Sequence, residues 1–286
     1  MPIDYRKLLE LDIPEVEQTY SEKDVILYAL GVGLGESPDD PETLRFVYEK
    51  DLRVLPTLAV VLAQPGLWPR DLDTGIDYLH VLHGEQRLRI HHPLPVRGTV
   101  IGRTRVTNVV DKGPKRGALL LSEREIFDKD SGALLATVGH TAFCRNDGGF
   151  GGPAGPLPPR VAMPDQAPDI VCMLSTVPQM ALIYRLSADL NPLHVDPETA
   201  VAAGFRRPVL HGLATYGLAA HAILRAVCDY DPARIRALDC RFTAPAYAGE
   251  TFATEIWLDG SSLVFRTRAV ERDVVVISHG RAELAA

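Results

Sequence analysis

The sequence contains little cysteine. Its 286 residues include four, and these show no C-x-x-C pair and no spacing typical of a zinc site. Their neighbours are mainly apolar: Cys144, Cys172, Cys228 and Cys240. We therefore expect four reduced, buried thiols.

Long hydrophobic runs are also missing. The longest, VILYALGVGLG, is far shorter than the roughly 20 residues that a bilayer-spanning helix needs. The opening segment MPIDYRKLLELDIPEVEQTY mixes charges and prolines with apolar residues, unlike a secretory signal, and the final RAELAA carries no peroxisomal address. These absences predict a cytoplasmic protein with no membrane partner.

Positive charge is in deficit. The chain has 30 Lys and Arg against 37 Asp and Glu, a net charge of −7 and a pI of about 5.7. This balance disfavours nucleic acid as a partner, although a small basic patch could still hold a phosphorylated ligand. Hydrophobic residues, at 46%, are sufficient for a sizeable core.

Glycine and proline are concentrated in the middle of the chain. The run DGGFGGPAGPLPPRVAMPDQAP, from Asp147 to Pro168, favours neither a helix nor a central strand. We therefore predict a linker at 148–168, between an N-terminal half at 1–147 and a C-terminal half at 169–286.

The two halves contain the same patterns in the same order, a helix candidate followed by four strand-like runs. In the C-terminal half, HGLATYGLAAHAIL is small or apolar on nearly every face, as in a buried helix, and four strand-like runs follow: ALDCRF, ETFATEIWL, SLVFRTRAV and VVVISHGRAEL. The N-terminal half has a helix candidate around VLPTLAVVLAQ, followed by QRLRIHH, TVIGRTRVTNVV, ALLLSEREIF and LLATVGHTAFC. This repetition predicts an α+β fold in which an antiparallel sheet curls around a central helix, twice. Joining the two sheets edge to edge would remove exposed strand edges.

The segment LSADLNPLHVDP, residues 186–197, concentrates acid, base and hydrogen-bonding groups. Pro192 disfavours helical geometry at Asn191, so the chain should turn there. On an ideal helix Asp189 and His194 would lie roughly 140° apart, whereas a turn could bring both into one pocket. A carboxylate beside an imidazole can handle protons near neutral pH.

The same residue types also have structural uses. Aspartate, asparagine and proline form ordinary turns, and Asp196 is placed to cap a helix that has Pro197 at its first position and ends at Gly204. A metal site of His194, Asp196 and His211 is an alternative by ligand type, but the capping role of Asp196 argues against it. His211 could equally be a hydrogen-bonded core residue.

His211 and Gly212 stand where the predicted buried helix begins. Free backbone N–H groups at a helix start would stabilise an oxygen that gains negative charge. A glycine there would let a substrate carbonyl approach closely, although tight packing explains a glycine equally well.

The run YRLSADLNPLHVDPETAVAAGFRRPVLHGL resembles the motif of the hydratase 2 family, the R-specific 2-enoyl-CoA hydratases with MaoC-like double hot-dog folds. The similarity continues through RFTAPAYAGETFATEIW and, in the first half, through DVILYALGVG, FVYE, VLPTLAVV, HGEQ, DKG and GGFGG. It therefore covers nearly the whole chain. The string that ends in HGL is highly specific, whereas DKG or HG alone would be weak.

The resemblance implies that Asp189 and His194 are the catalytic pair. They would hold the water that adds across a trans-2-enoyl thioester, giving an (R)-3-hydroxyacyl-CoA. Asn191 would orient the water or hold the loop, and the N–H of Gly212 would polarise the thioester carbonyl. No metal and no cofactor are implied, since coenzyme A is part of the substrate.

The resemblance also implies a set of substrate contacts: His83, Gly84, Lys112, Leu190, Pro192, Leu193 and Phe242. Lys112 suits a coenzyme A phosphate, although a hairpin lysine can simply be solvated. Ala188 departs from the pattern, because relatives often carry glycine there. The N-terminal half lacks a matching aspartate and histidine pair and would give the acyl chain room.

Two other functions would use the same features. One is dehydration of 3-hydroxyacyl groups on acyl carrier protein during fatty acid synthesis. The other is noncatalytic binding of acyl thioesters, which the presence of both Asp189 and His194 argues against. We expect an acyl-CoA partner and, from the resemblance, a homodimer. The residues leave open which member of the pair is the base.

Overall fold

The computed structural model describes residues 3–37, 39–187 and 189–285, so Ala188 lies outside the described residues. A ten-stranded antiparallel sheet runs through both halves, in the order β1-β3-β4-β5-β2-β7-β10-β9-β8-β6. The strands are β1 (Val16–Tyr20), β2 (Val81–Ile90), β3 (Gly98–Asp111), β4 (Ala118–Asp128), β5 (Leu134–Cys144), β6 (Ile170–Ser175), β7 (Ile235–Phe242), β8 (Thr251–Asp259), β9 (Ser262–Ala269) and β10 (Val274–Leu284).

Pairing between β2 and β7 joins the two halves. Glu85 lies opposite Arg241, and Arg89 lies opposite Ala237. Five strands on each side of this junction form one curled sheet, which is the predicted double hot-dog architecture. All eight predicted strands are present.

The two outermost strands, β1 and β6, were not predicted. They have five and six residues, and each pairs along one side only, with β3 and β8 respectively. In β6 every second residue is exposed, so its apolar run IVCMLS buries only one face. Such short edge segments carry little of the pattern that marks a strand.

Helices occur before β1 and in several of the connections between strands. The α-helices are α1 (Tyr5–Leu9), α2 (Glu22–Gly31), α3 (Pro41–Leu44), α4 (Trp68–Asp71), α5 (Met180–Tyr184), α6 (Pro197–Ala202) and α7 (Gly212–Val227). Short 3-10 helices occur at Pro56–Val61, Tyr78–His80, Pro192–His194, Pro232–Arg234 and Val270–Arg272. Within the described ranges, every helix is too short or too polar to cross a lipid bilayer.

Helix α7 is the central helix of the C-terminal half. Every residue from 214 to 224 is buried, so the helix has no solvent face over these turns. The hydroxyl of Tyr216 donates to the carbonyl of Leu238 on β7, at 2.8 Å, and so ties helix to sheet. The buried helix predicted from HGLATYGLAAHAIL is confirmed.

The central segment of the N-terminal half differs from the expected helix. Residues Pro56–Val61 form a 3-10 helix whose six residues are all buried. The bonds are of the i to i+3 type, as from the N–H of Leu58 to the carbonyl of Leu55, at 2.9 Å. The β-branched pair Val60 and Val61 lowers helix propensity, and Leu62 returns to an extended conformation. The longest helix of this half is instead α2.

The glycine- and proline-rich segment contains neither helix nor strand from residue 152 to 164. It lies against the sheet, because Val161 accepts a hydrogen bond from Nδ1 of His279, at 3.0 Å, and Gln166 accepts one from Trp257, at 2.9 Å. We retain 148–168 as the proposed linker between the halves. The four cysteines are all free and buried, as expected.

Candidate active site

The loop after α5 turns where the sequence predicted. Asn191 has extended rather than helical dihedral angles (φ −54°, ψ 123°), and its side-chain oxygen accepts the N–H of Leu193, at 3.0 Å, which caps the 3-10 turn Pro192–His194. Oδ1 of Asp189 accepts the N–H of Asn191, at 2.9 Å. Two short side chains therefore fix the bend, and Asn191 holds the loop.

This bend brings Asp189 and His194 together. Oδ2 of Asp189 lies 3.7 Å from Nε2 of His194. The distance is too long for a direct hydrogen bond, but one water molecule at ordinary hydrogen-bond distance can contact both atoms. The side chain of Asp189 is 42% exposed and that of His194 is 10% exposed, so the carboxylate contacts solvent whereas the imidazole is buried.

The surroundings of His194 define its tautomer. Nδ1 lies 2.8 Å from the carbonyl oxygen of Val209, and a carbonyl can only accept, so Nδ1 carries the proton. Burial lowers the pKa of His194, although the Val209 carbonyl and the Asp189 charge partly oppose this. Nε2 of a neutral His194 is therefore a free acceptor on the side of Asp189.

His211 is the third member of the cluster. Its ring stacks on that of His194, with centroids 3.7 Å apart and planes 27° apart. Its Nε2 donates to the backbone carbonyl of Asp189, at 3.1 Å. Burial, and secondarily the neighbouring His194, lowers the pKa of His211 to about 4. From the sequence His211 was only a core residue or a metal ligand, because stacking between distant rings leaves no pattern in the chain.

The metal alternative involves a different aspartate from the one expected. Ligand atoms of Asp189, His194 and His211 lie within 4.8 Å of one another. Asp196 caps α6 through the N–H groups of Glu198 and Thr199, as predicted. Imidazole lone pairs lie in the ring plane, and those of two stacked rings run nearly parallel instead of converging on one ion. The geometry therefore favours proton handling.

Gly212 is the first residue of α7, directly after His211. Within the described ranges no backbone carbonyl accepts its N–H. A methyl group added there would lie 3.5 Å from the ring of Phe242, so the space beside this N–H is bounded by that ring. A free donor at a helix start can stabilise a developing oxyanion.

Four predicted substrate contacts line one cavity of about 180 Å³: His83, Gly84, Lys112 and Phe242. Arg160 and Arg241 also line it, together with a single carboxylate, Glu85, which pairs with Arg160 at 3.2 Å. The sequence did not indicate Arg160, because it lies in the patternless glycine and proline segment. The resulting excess of positive charge suits a phosphorylated ligand.

A bulge in β2 directs His83 into this cavity. The pairing of β2 with β5 shifts register between His83 and Glu85, and a side chain at Gly84 would press on the carbonyl of Thr141, at 3.1 Å. The ring of His83 meets that of Phe242 edge to face, at 4.7 Å. Burial lowers the pKa of His83 to about 4, so this imidazole is neutral at pH 7.

The hairpin between β3 and β4 positions Lys112. Asp111 accepts N–H groups from Gly113, Gly149 and Gly151, at 2.7 to 2.8 Å. The GGFGG segment is thereby bound to the DKG turn, which explains why both motifs occur. The backbone of Lys112 donates to Gly117, at 3.0 Å, so the base of this lysine is fixed.

The other three predicted contacts, Leu190, Pro192 and Leu193, do not line this cavity. Leu190 is 65% exposed. A larger cavity, of about 250 Å³, lies near Ile90 at the far end of β2 and contains none of the predicted site residues.

The fold and the site together define a class: double hot-dog enzymes that add or remove water. Residues 18–146 match the family model of the MFE-2 hydratase 2 N-terminal domain, and residues 160–279 match that of the MaoC like domain. The chain belongs to this hydratase 2 family.

Similar proteins agree over the full length. Enoyl-CoA hydratase ChsH3 of Mycobacterium tuberculosis is 41% identical over 98% of both chains. The peroxisomal enoyl-CoA hydratase 2 of Arabidopsis thaliana is 38% identical over 95% of this chain and 92% of its own. A crystal structure of a MaoC-like dehydratase from Phytophthora capsici superposes with a TM-score of 0.86 at 32% identity, covering 98% of each chain.

Proposed function

We propose that the chain catalyses the reversible hydration of trans-2-enoyl-CoA to (R)-3-hydroxyacyl-CoA, with Asp189 and His194 activating the water. The observation that carries this proposal is the 3.7 Å gap between Oδ2 of Asp189 and Nε2 of His194. Both atoms are acceptors when the carboxylate is ionised and the imidazole is neutral. A water in the gap can donate one proton to each, which leaves an oxygen lone pair free for attack.

The reaction needs this arrangement because water is a poor nucleophile. As its oxygen bonds to the β-carbon of the substrate, one proton must leave the water, and one proton must reach the α-carbon. The neutral Nε2 of His194 supports a role as the base. The proton that the pair takes from the water is the one it then delivers to the α-carbon, so the sum of the two steps is addition of H and OH, and both groups return to their starting protonation states.

Charge develops on the thioester oxygen during the attack. The free N–H of Gly212, at the start of α7, is the donor that we assign to this oxygen. The fully buried helix behind it keeps water away from that dipole, which strengthens the interaction. The ring of Phe242 lies 3.5 Å from where a Cβ at Gly212 would stand, so it is the wall against which we place the thioester.

The cavity lined by Lys112, Arg160 and Arg241 supports coenzyme A as the carrier. Its cations suit phosphates, and Phe242 is common to this cavity and to the surroundings of Gly212. The N-terminal half is then the proposed acyl side. The protein needs no further cofactor in this scheme, because coenzyme A arrives with the substrate.

The test is the loss of the ultraviolet absorbance of crotonyl-CoA or a longer enoyl-CoA. Asp189→Asn keeps an acceptor for the N–H of Asn191 but loses the charge, so the rate should fall about 100-fold or more. Asp196→Asn, in the same loop, is the matched control. It removes a charge from a helix cap and should leave the rate near that of the parent.

Undiminished turnover by Asp189→Asn would overturn the mechanism. Binding of enoyl-CoA without any turnover would instead support the noncatalytic alternative. Faster dehydration of 3-hydroxyacyl groups on acyl carrier protein than on coenzyme A would assign the site to fatty acid synthesis.

A further inference from the structure

His211 contacts each part of the proposed machinery. Its ring stacks on His194 at 3.7 Å, its Nε2 donates to the backbone carbonyl of Asp189 at 3.1 Å, and the next residue along the chain is Gly212. This side chain therefore contacts both the base and the loop that carries the carboxylate, and its residue directly precedes the central helix.

The hydrogen bond from His211 to the backbone carbonyl of Asp189 helps to fix the position of the Asp189 carboxylate. The side chain of Asp189 is 42% exposed, so packing restrains it little. Its position depends instead on two hydrogen bonds: Oδ1 accepts the N–H of Asn191, and the backbone carbonyl accepts the Nε2–H of His211. A small displacement of this backbone would change the 3.7 Å separation from His194.

Packing alone does not account for a histidine at this position. The side chain is 2% exposed, and its Nδ1 is a buried atom without a hydrogen-bond partner within the described ranges. A buried polar atom without a partner costs free energy of folding, which an apolar ring of similar size would avoid. The cost is understandable if the Nε2 donor is needed.

We propose that His211 is a positioning residue that holds Asp189 and His194 at the separation needed to share one water. The inference rests on the proposed function, in which that pair activates the water. His211 stays neutral, so it adds no positive charge beside His194 and does not compete for the transferred proton.

His221 provides a matched control. It lies on the same helix, is fully buried, and uses Nδ1 to contact the carbonyl of Val32, at 3.2 Å. Its ring pairs with Tyr230 and not with the site histidines. Replacing it tests what the loss of a buried imidazole in α7 does by itself.

The experiment compares three variants of the full chain. His211→Phe keeps a ring for stacking but loses the donor, whereas His211→Gln keeps an N–H donor near the position of Nε2 and loses the ring. His211→Phe should lower kcat about 10- to 100-fold with little change in KM. His211→Gln should recover part of that loss, and His221→Phe should keep the parent kcat.

A second measurement does not depend on turnover. Amide hydrogen exchange in the segment 189–195 should accelerate in His211→Phe and stay near the parent rate in His211→Gln and His221→Phe. Thermal unfolding of each variant shows whether it is folded.

Parent-like kcat and parent-like exchange in His211→Phe would overturn the inference. So would an equal loss of kcat in His221→Phe, because the effect would then be general to the helix. If the parent hydrates no enoyl-CoA, the proposed function fails, while the exchange rates still decide whether His211 holds the loop.

Discussion

Nδ1 of His194 donates to the carbonyl of Val209 at 2.8 Å, and this contact assigns the two ring nitrogens different tasks. One holds the ring, and the other faces Asp189. In His194→Asn the amide N–H can replace Nδ1 but nothing replaces Nε2. We expect kcat to fall about 100- to 10,000-fold in a protein that still folds, with a melting temperature lowered by loss of the stacking on His211. Enoyl-CoA turnover and thermal unfolding check this, and a variant with more than a tenth of the parent rate would exclude His194 as the base.

The pH dependence of turnover follows from the same imidazole. Burial lowers the pKa of His194, so Nε2 is free at neutral pH and becomes protonated only below the usual histidine range. We therefore expect kcat/KM to be level around pH 7 and to decline at acid pH with a midpoint below 6.5. Initial rates at constant ionic strength test this, with circular dichroism at each pH to show that the protein is folded. A midpoint above the usual histidine value would contradict the burial argument.

The Gly212→Ala variant tests whether the thioester approaches the N–H of Gly212, independently of any effect on folding. The added methyl group meets the Phe242 ring at 3.5 Å, an ordinary contact, and alanine is the better helix former. The melting temperature should therefore hold or rise. The methyl group would obstruct the thioester, so kcat should fall on the order of 10-fold or more. Unchanged kinetics would remove Gly212 from the site.

Lys112 can be tested with two substrates. We expect Lys112→Met to raise KM for crotonyl-CoA several-fold, in line with loss of a partly screened phosphate contact, with kcat little changed. Crotonyl-N-acetylcysteamine, which has no phosphate, should react equally well with parent and variant. Lys115→Met is the control, because Lys115 lies in the same hairpin, is exposed and does not line the cavity. Equal effects of the two substitutions would mean that Lys112 is only a solvated lysine.

Acid should destabilise the fold through its buried histidines. Burial lowers the pKa of both His83 and His221 to about 4, below the value of 6.5 for a free imidazole. Between these values the unfolded chain binds more protons than the folded chain. The contribution of the two neutral histidines to the free energy of unfolding is therefore fully present above pH 6.5 and is lost as the pH falls towards 4. At pH 5 each histidine should lower the free energy of unfolding by about 2 kcal/mol.

Urea unfolding at pH 7.5 and pH 5 measures this loss. His221→Phe should show a smaller pH effect than the parent, by about the share of one histidine. An identical pH effect in both proteins would show that His221 does not contribute to acid sensitivity.

The sequence predicted most of the sheet and the bend that carries Asp189 and His194. Strand-like runs, a helix of mostly small or apolar residues, and an asparagine before a proline are local patterns, and each is visible within about 15 residues. The family resemblance added His83, Lys112 and Phe242, which do line one cavity.

The remaining features depend on contacts between distant segments. The stacking of His211 on His194 joins residues 17 positions apart by sequence number through the fold alone. Arg160 reaches the cavity from a segment without secondary structure. The N-terminal central segment became a 3-10 turn rather than a helix, because its proline and β-branched residues outweighed an apolar composition that suits either.

The pairing of β2 with β7 holds the two hot-dog units together within one chain. If each hot-dog unit were a separate chain, two identical copies would have to associate. In one polypeptide the two units are always present together and can differ in sequence. Mutations in one unit are therefore no longer imposed on the other. A tandem chain of this kind can specialise one unit for reaction chemistry while the other adapts to the shape of the acyl group.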